Sequence, residues 1–238
     1  MGKTGILFIH GFTGTPWVFR ELEENIKVKS FLISAPILPG HGTHPEDLIS
    51  VSWKEWVECA RAHFYQLASQ CDKVFIVGIS MGGAIALLLG TEVPCSGVVS
   101  ISAPFRFRKP WVLALPVMRL FLRYWKKSIG SNGSIIPEEL GYDRYPLSAL
   151  RQLLLLLKDL RSKIHKIQSP VLIIHARKDK KVPVQNAEWI YRAIPRTEKE
   201  LVVLDSNHHV ITKGETAPQI TTLIFDFIEK NSISQKTK

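Results

Sequence analysis

Cysteine is scarce in this sequence. Only Cys59, Cys71 and Cys95 occur among 238 residues, an odd number with no C-x-x-C spacing. That count excludes a disulfide framework and points to a reducing compartment. The first residues, Met1-Gly2-Lys3-Thr4, run directly into a predicted strand and lack a secretory apolar stretch with a cleavage site. The expected location is therefore the cytoplasm. Long apolar runs are also missing. The most apolar, Trp111–Leu122, is too short to cross a bilayer and contains Pro116 and Arg119.

Acidic residues are few, 21 against 31 Lys and Arg, which gives a formal net charge of +10. Much of the excess falls in one stretch, where Arg106, Arg108, Lys109, Arg119, Arg123, Lys126 and Lys127 occur without an Asp or Glu between Ala103 and Gly130. Tryptophan and leucine interleave these cations, a pattern that suits an amphipathic surface rather than a groove tracking phosphates. No nucleic-acid partner is expected. The residues that are plentiful, 45% hydrophobic with 22% charged, are those of a folded domain, and the length suits one large α/β unit.

Strand and helix signals alternate, which predicts a mainly parallel sheet covered on both faces. Strands are expected at Ile6–Ile9, Phe31–Ile37, Val74–Val77, Val98–Ile101, Val171–His175 and Glu200–Leu204. Helices are expected at Pro16–Ile26, Ser52–Ala68, from the segment after Ser80 through Leu89, Val184–Ala193 and about Thr216–Lys230. Between Pro104 and about Ser169 no strand signal appears. Helical stretches at Pro116–Trp125 and Ser148–Leu160 flank an irregular segment, Ser128–Pro137. The expected organisation is a core in two parts, residues 1–103 and 170–230, a helical insertion at 104–169 after the fourth strand, and a polar tail at 231–238.

Chemistry concentrates at strand ends. Gly78-Ile79-Ser80-Met81-Gly82 follows an apolar strand and opens a small-residue helix, the setting a G-x-S-x-G nucleophile elbow requires. Glycines at 78 and 82 let strand and helix approach closely enough for the tight turn that exposes Ser80. A hydroxyl needs a base to take its proton. Two of the eight histidines, His208 and His209, lie just past the last strand where a base is expected, and only one of them can face the serine. The base in turn needs a carboxylate to fix its tautomer. Asp179 follows the fifth strand, and its lysine neighbours Lys178, Lys180 and Lys181 should favour the ionised form. Asp205 is the competing carboxylate, at a position better suited to a turn. The order Ser80, Asp179, His209 is the chain order found with this elbow.

Two backbone donors are needed for an oxyanion. The Met81 amide follows the nucleophile, and the Phe12 amide lies in the loop His10-Gly11-Phe12-Thr13-Gly14 after the first strand. His41-Gly42-Thr43-His44 suggests a metal pair but lacks acidic or cysteine partners, so no metal and no cofactor is expected. Ser100 and Ser102 read as a strand end rather than a second nucleophile.

Taken together, His10–Gly14, Pro39-Gly40-His41-Gly42, Gly78–Gly83, Ala176–Asp179 and His209-Val210-Ile211-Thr212 resemble the small bacterial carboxylesterases and monoacylglycerol lipases of the α/β-hydrolase superfamily. The resemblance covers Ile6 to about Ile228. It implies a six-stranded sheet and an acyl-enzyme on Ser80. It also implies that 104–169 is a lid over an acyl pocket, and that substrates are short- to medium-chain acyl esters or monoacylglycerols. It selects His209 as the base, since the family pattern has the histidine followed by Val-Ile-Thr; His208 stands where that pattern has glycine. A thioester or an activated C–C bond is the alternative substrate for the same three residues, and a ligand sensor without turnover is the non-enzymatic alternative. The basic, aromatic lid, with Trp111, Leu115, Phe121, Trp125 and the flanking Arg and Lys residues, has two readings: contact with anionic membrane or micelle surfaces, or ordinary packing of a lid.

Overall fold

A computed structural model describes residues 3–26, 31–107, 110–127, 141–195 and 198–233. In chain order, β1 spans Thr4–Ile9 and leads through a 3-10 turn at Pro16–Phe19 into α1 (Arg20–Ile26). Next come β2 (Leu32–Ser34), α2 (Trp53–Ala68), β3 (Lys73–Ile79), α3 (Met81–Leu89) and β4 (Gly97–Ile101). The insertion holds α4 (Pro110–Phe121), β5 (Tyr124–Lys126), β6 (Arg144–Pro146) and α5 (Leu147–Lys163). The chain then returns to β7 (Val171–Ala176), α6 (Gln185–Ala193), β8 (Lys199–Leu204) and α7 (Ala217–Ile233).

Six strands form one sheet in the order β2-β1-β3-β4-β7-β8, and every pairing in it is parallel. Continuous apolar runs such as Val74-Phe75-Ile76-Val77 make these strands because both of their faces are buried. Alternate residues go to opposite sides. Leu7, Ile9, Ile76 and Val98 pack with α2, α3 and α5, while Ile6, Phe8, Phe75 and Val99 pack with Leu22 of α1 and Ile220, Ile224 and Phe227 of α7. α2 begins at Ser52, whose amide donates to Glu55 Oε1 at 2.9 Å, as expected of an N-terminal capping pair.

Three expectations change. β2 is three residues long instead of running to Ile37, because Pro36 and Pro39 carry no N–H for a ladder and the Leu38 amide donates to His10 Nε2. The first insertion helix starts at Pro110, which is in its first turn, and runs through Pro116 to Phe121. The insertion also contains strands that the sequence did not signal. β5 and β6 pair antiparallel, Tyr124 with Pro146, Trp125 with Tyr145 and Lys126 with Arg144. Ser128–Pro137 and the tail from 234 lie outside the described residues.

The insertion has two parts. α5 belongs to the layer over the sheet, with Leu147, Leu150, Leu153, Leu156, Leu157 and Leu160 buried in the cluster that contains α2 and α3. α4 and the β5–β6 ribbon lie farther out, with Leu115 and Met118 of α4 packed on the same cluster, and polar contacts fix the chain on either side of them. Tyr142 donates its amide to the Thr13 carbonyl at 3.0 Å and its hydroxyl to the Gly40 carbonyl at 2.8 Å. Buried Asn186 accepts the amides of Phe105 and Arg106, both at 2.8 Å, and fixes the exit from β4. No helix among the described residues is long and apolar enough to cross a membrane.

Candidate active site

The order of the strands reverses around β1, whose neighbours are β2 and β3, so the carboxyl ends of the central strands flank a crevice. β3 ends there at Ile79, and the next residue, Ser80, adopts φ 55° and ψ −122° before α3 begins. That conformation is costly for an L-residue and holds only because the surroundings enforce it. The glycines show how. A Cβ on Gly78 would lie 2.1 Å from the Gly82 carbonyl oxygen, and one on Gly82 would lie 1.9 Å from that of Ile9. The Ser80 amide donates to the Ile101 carbonyl of β4 at 2.8 Å, locking the turn to the neighbouring strand.

His209 bridges two distant segments. Its Nε2 lies 3.0 Å from Ser80 Oγ, and its Nδ1 lies 2.6 Å from Asp179 Oδ2. With the proton on Nδ1 donated to the carboxylate, Nε2 is left free to accept from the hydroxyl. The ring's neighbour in sequence faces elsewhere: His208 is exposed, and its amide donates to Ser206 Oγ at 3.2 Å. Asp205, the rival carboxylate, is exposed and pairs with Lys178 at 3.3 Å. The structure thus brings Ser80, His209 and Asp179 together and leaves His208 and Asp205 outside.

Asp179 is buried, which on its own would raise its pKa. The hydrogen bond and charge of His209, with the amides of Val182 and Lys181, outweigh burial and hold the carboxyl below its ordinary value. Both amides donate to Oδ1, at 2.9 and 2.8 Å. This corrects the expectation that lysine side chains stabilise the carboxylate: Lys181 acts through its backbone, and Lys178 is engaged with Asp205.

The Met81 amide opens α3, where the helix dipole favours negative charge. The Phe12 amide sits in the loop after β1, and a Cβ on Gly11 would lie 3.1 Å from Ser80 Cβ, so that loop touches Ser80. Neither amide donates to a protein acceptor among the described residues. Gly14 closes the loop by donating to the Gly11 carbonyl at 3.0 Å, and Thr13 takes φ 61°.

Sequence reasoning missed the residues that hold these loops. His10 is buried, accepts the Leu38 amide at Nε2 (3.0 Å) and donates Nδ1–H to its neighbour's carbonyl, Gly11 O (2.9 Å). Burial, then the charge of His41, lowers its pKa to about 3. His41 packs edge-on against His10 at 5.0 Å and Trp56 at 5.8 Å and donates to the Pro39 carbonyl; burial lowers it to about 4. His44 is exposed, so the two histidines of the His41–His44 segment do not converge. His175 on β7 is fully buried and donates to the Val182 carbonyl at 2.9 Å, bracing the loop that carries Asp179. Of these, His10 and His41 lie in motifs that carry the resemblance, without a sign of the supporting role, and His175 gave no signal. Ser100 lies in β4 with its hydroxyl on the Gly83 carbonyl at 3.3 Å, and Ser102 follows the strand.

Comparison with known proteins agrees with this architecture. Residues 6–217 match a family described as the alpha/beta hydrolase family. A thermostable monoacylglycerol lipase of Bacillus sp. (strain H-257) is 34% identical over 97% of this chain and 92% of its own length. A carboxylesterase of Bacillus subtilis (strain 168) is 29% identical over 96% and 94%. A solved structure from work on LipS and LipT, two metagenome-derived lipolytic enzymes, superposes with a TM-score of 0.87 at 31% identity, covering 97% of this chain and 96% of that one. A monoacylglycerol lipase of Paleococcus ferrophilus, at 18% identity, shares the fold with a TM-score of 0.81 over 95% and 94%.

Proposed function

The chain belongs to the alpha/beta hydrolase family, and from that premise we propose that it is a serine hydrolase of carboxylic esters working through an acyl-enzyme on Ser80. The observation that carries this reading is one imidazole within hydrogen-bond reach of both a strained serine and a buried carboxylate. His209 Nε2 takes the Ser80 proton as Oγ attacks the ester carbonyl. The Phe12 and Met81 amides hold the oxyanion. His209 then returns the proton to the leaving alcohol, and a water deprotonated by the same nitrogen releases the acid. Asp179 keeps Nδ1 protonated and stabilises the imidazolium that forms.

The substrates we assign are short- to medium-chain acyl esters and monoacylglycerols; the Bacillus relatives are a monoacylglycerol lipase and a carboxylesterase. Residues 104–169 then serve as the lid. Its outer face supports delivery of amphiphilic substrate from an anionic membrane: Leu120 and Phe121 are 72% and 82% exposed, beside exposed Leu122, Arg123 and Lys126. Leu115, grouped with that face on sequence, is instead buried at 1% exposure. The side chain of Trp111 lies outside the described residues.

A fluorophosphonate label and p-nitrophenyl esters of increasing chain length test the function. The expected result is stoichiometric labelling at Ser80 and turnover that falls about a thousandfold or more in Ser80→Ala. Turnover retained in that variant, or none in the wild type with any ester, would reject it.

A further inference from the structure

The mechanism above makes no use of Lys127. Lys127 follows directly after β5 and extends the ribbon by donating its amide to the Asp143 carbonyl at 3.0 Å. Its Nζ lies 5.0 Å from the ring centroid of Tyr145. That ring is stacked on Phe12, with centroids 5.6 Å apart and planes 12° apart, and Phe12 supplies one of the two oxyanion amides. The ammonium is therefore held two rings from the reaction centre.

Its charge reaches both walls of the site. It acts on His41, which packs beside Phe12 at 6.3 Å, and it is repelled by Lys181, in the loop that holds Asp179. Among the described residues no carboxylate lies within ion-pair distance of Lys127. The nearest acidic influence, Asp143, is itself 3.6 Å from Arg144. Burial, followed by repulsion from Lys181 and opposed by Asp143, brings the Lys127 pKa down to about 8. A half-buried ammonium with no carboxylate in reach among the described residues weakens a fold, and the Tyr145 face offsets only part of that cost. Such a group fits a site completed by a ligand.

Resting on the ester-hydrolase reading, we propose that Lys127, with Lys181 across the crevice, selects esters that carry a second, ionised carboxylate. The acid group of the substrate is the missing counter-ion, and it can enter on either the acyl or the alcohol side of the scissile bond. Neutral esters lack it and leave the ammonium with no carboxylate partner among the described residues.

Two substrate pairs distinguish the sides. Mono(4-nitrophenyl) adipate against methyl 4-nitrophenyl adipate places the carboxylate on the acyl part. 4-Butyryloxybenzoate against its methyl ester places it on the alcohol part. The readout is the ratio of kcat/KM, acid over methyl ester, in wild type, Lys127→Met and Lys127→Arg at pH 7. In at least one pair the wild-type ratio should exceed that of Lys127→Met by about tenfold, the worth of one charge-assisted contact. Lys127→Arg should restore it. Raising the pH through 8 should erode the wild-type ratio toward that of Lys127→Met and leave the arginine variant's unchanged. Equal ratios in wild type and Lys127→Met for both pairs would overturn the inference while leaving the esterase reading intact. No turnover of any of the four esters by wild type would overturn both.

Discussion

Ser80 sits in a backbone conformation that costs of the order of 1–3 kcal/mol, and its two flanking glycines are what permit it. Gly82→Ala would drive a methyl group to within 1.9 Å of the Ile9 carbonyl oxygen, so strand and helix must separate. The expected result is a loss of about 3 kcal/mol or more, read as a lower urea midpoint or as failure to fold; a wild-type midpoint would contradict the packing described. The adjacent histidines give a cleaner contrast. His209→Ala should abolish ester turnover, and His208→Ala, which removes an exposed ring, should leave it near wild type. Asp179→Asn should lower kcat by about 10³–10⁴ through loss of the correct tautomer, whereas Asp205→Asn should not. Turnover kinetics of these four variants decide the assignment. Motif spacing brought the base to two candidates. The resemblance, with Val-Ile-Thr after the histidine, chose His209, and the geometry agrees: its ring reaches Ser80 while His208 is exposed.

At the scale of elements, the elbow is held by loops whose own supports are buried histidines. His10 and His41 have pKa values of about 3 and 4, well below the ordinary histidine value of 6.5. In the unfolded chain both protonate below about 6.5, while in the folded one they stay neutral until much lower pH. Protonation therefore favours the unfolded state, and stability falls as pH drops from 6.5 toward 4, by up to about 1.4 kcal/mol per pH unit per histidine. Urea titrations at pH 7, 6 and 5 should show that slope, and His41→Gln should flatten it. A stability independent of pH across this window would contradict the buried neutral pair. His10 and His41 stood out as motif residues, but their supporting role was not legible, because a histidine after an apolar strand or in a glycine-rich turn carries no sign of its partner. The long parallel strands and their connecting helices were legible, since runs such as Val74–Val77 have only one way to be buried. The β5–β6 ribbon was not: three residues per strand show no alternation, and its two halves are separated by 17 residues, 127–143.

For the whole molecule, the net charge of +10 and the exposed apolar end of α4 point the same way. Sedimentation with phosphatidylglycerol vesicles at low salt should carry the protein down, and phosphatidylcholine vesicles should not. Phe121→Asp should reduce the bound fraction severalfold, since it removes apolar burial and adds repulsion. Equal binding by the variant would place the contact elsewhere. One feature of the sheet bears on how such a cover arises. β4 and β7 are hydrogen-bonded neighbours, with Ile101 opposite Ile174, although the whole of 104–169 lies between them in sequence. Because that pairing is parallel, the excursion leaves at the carboxyl end of β4 and re-enters at the amino end of β7, where Val171 lies opposite Val98, so it crosses the sheet lengthwise before returning one strand over. A crossover whose two strands are already paired with each other can lengthen, shrink or be replaced by recombination without shifting the register of a single strand. Selectivity is free to drift in a lineage while reactivity is inherited unchanged.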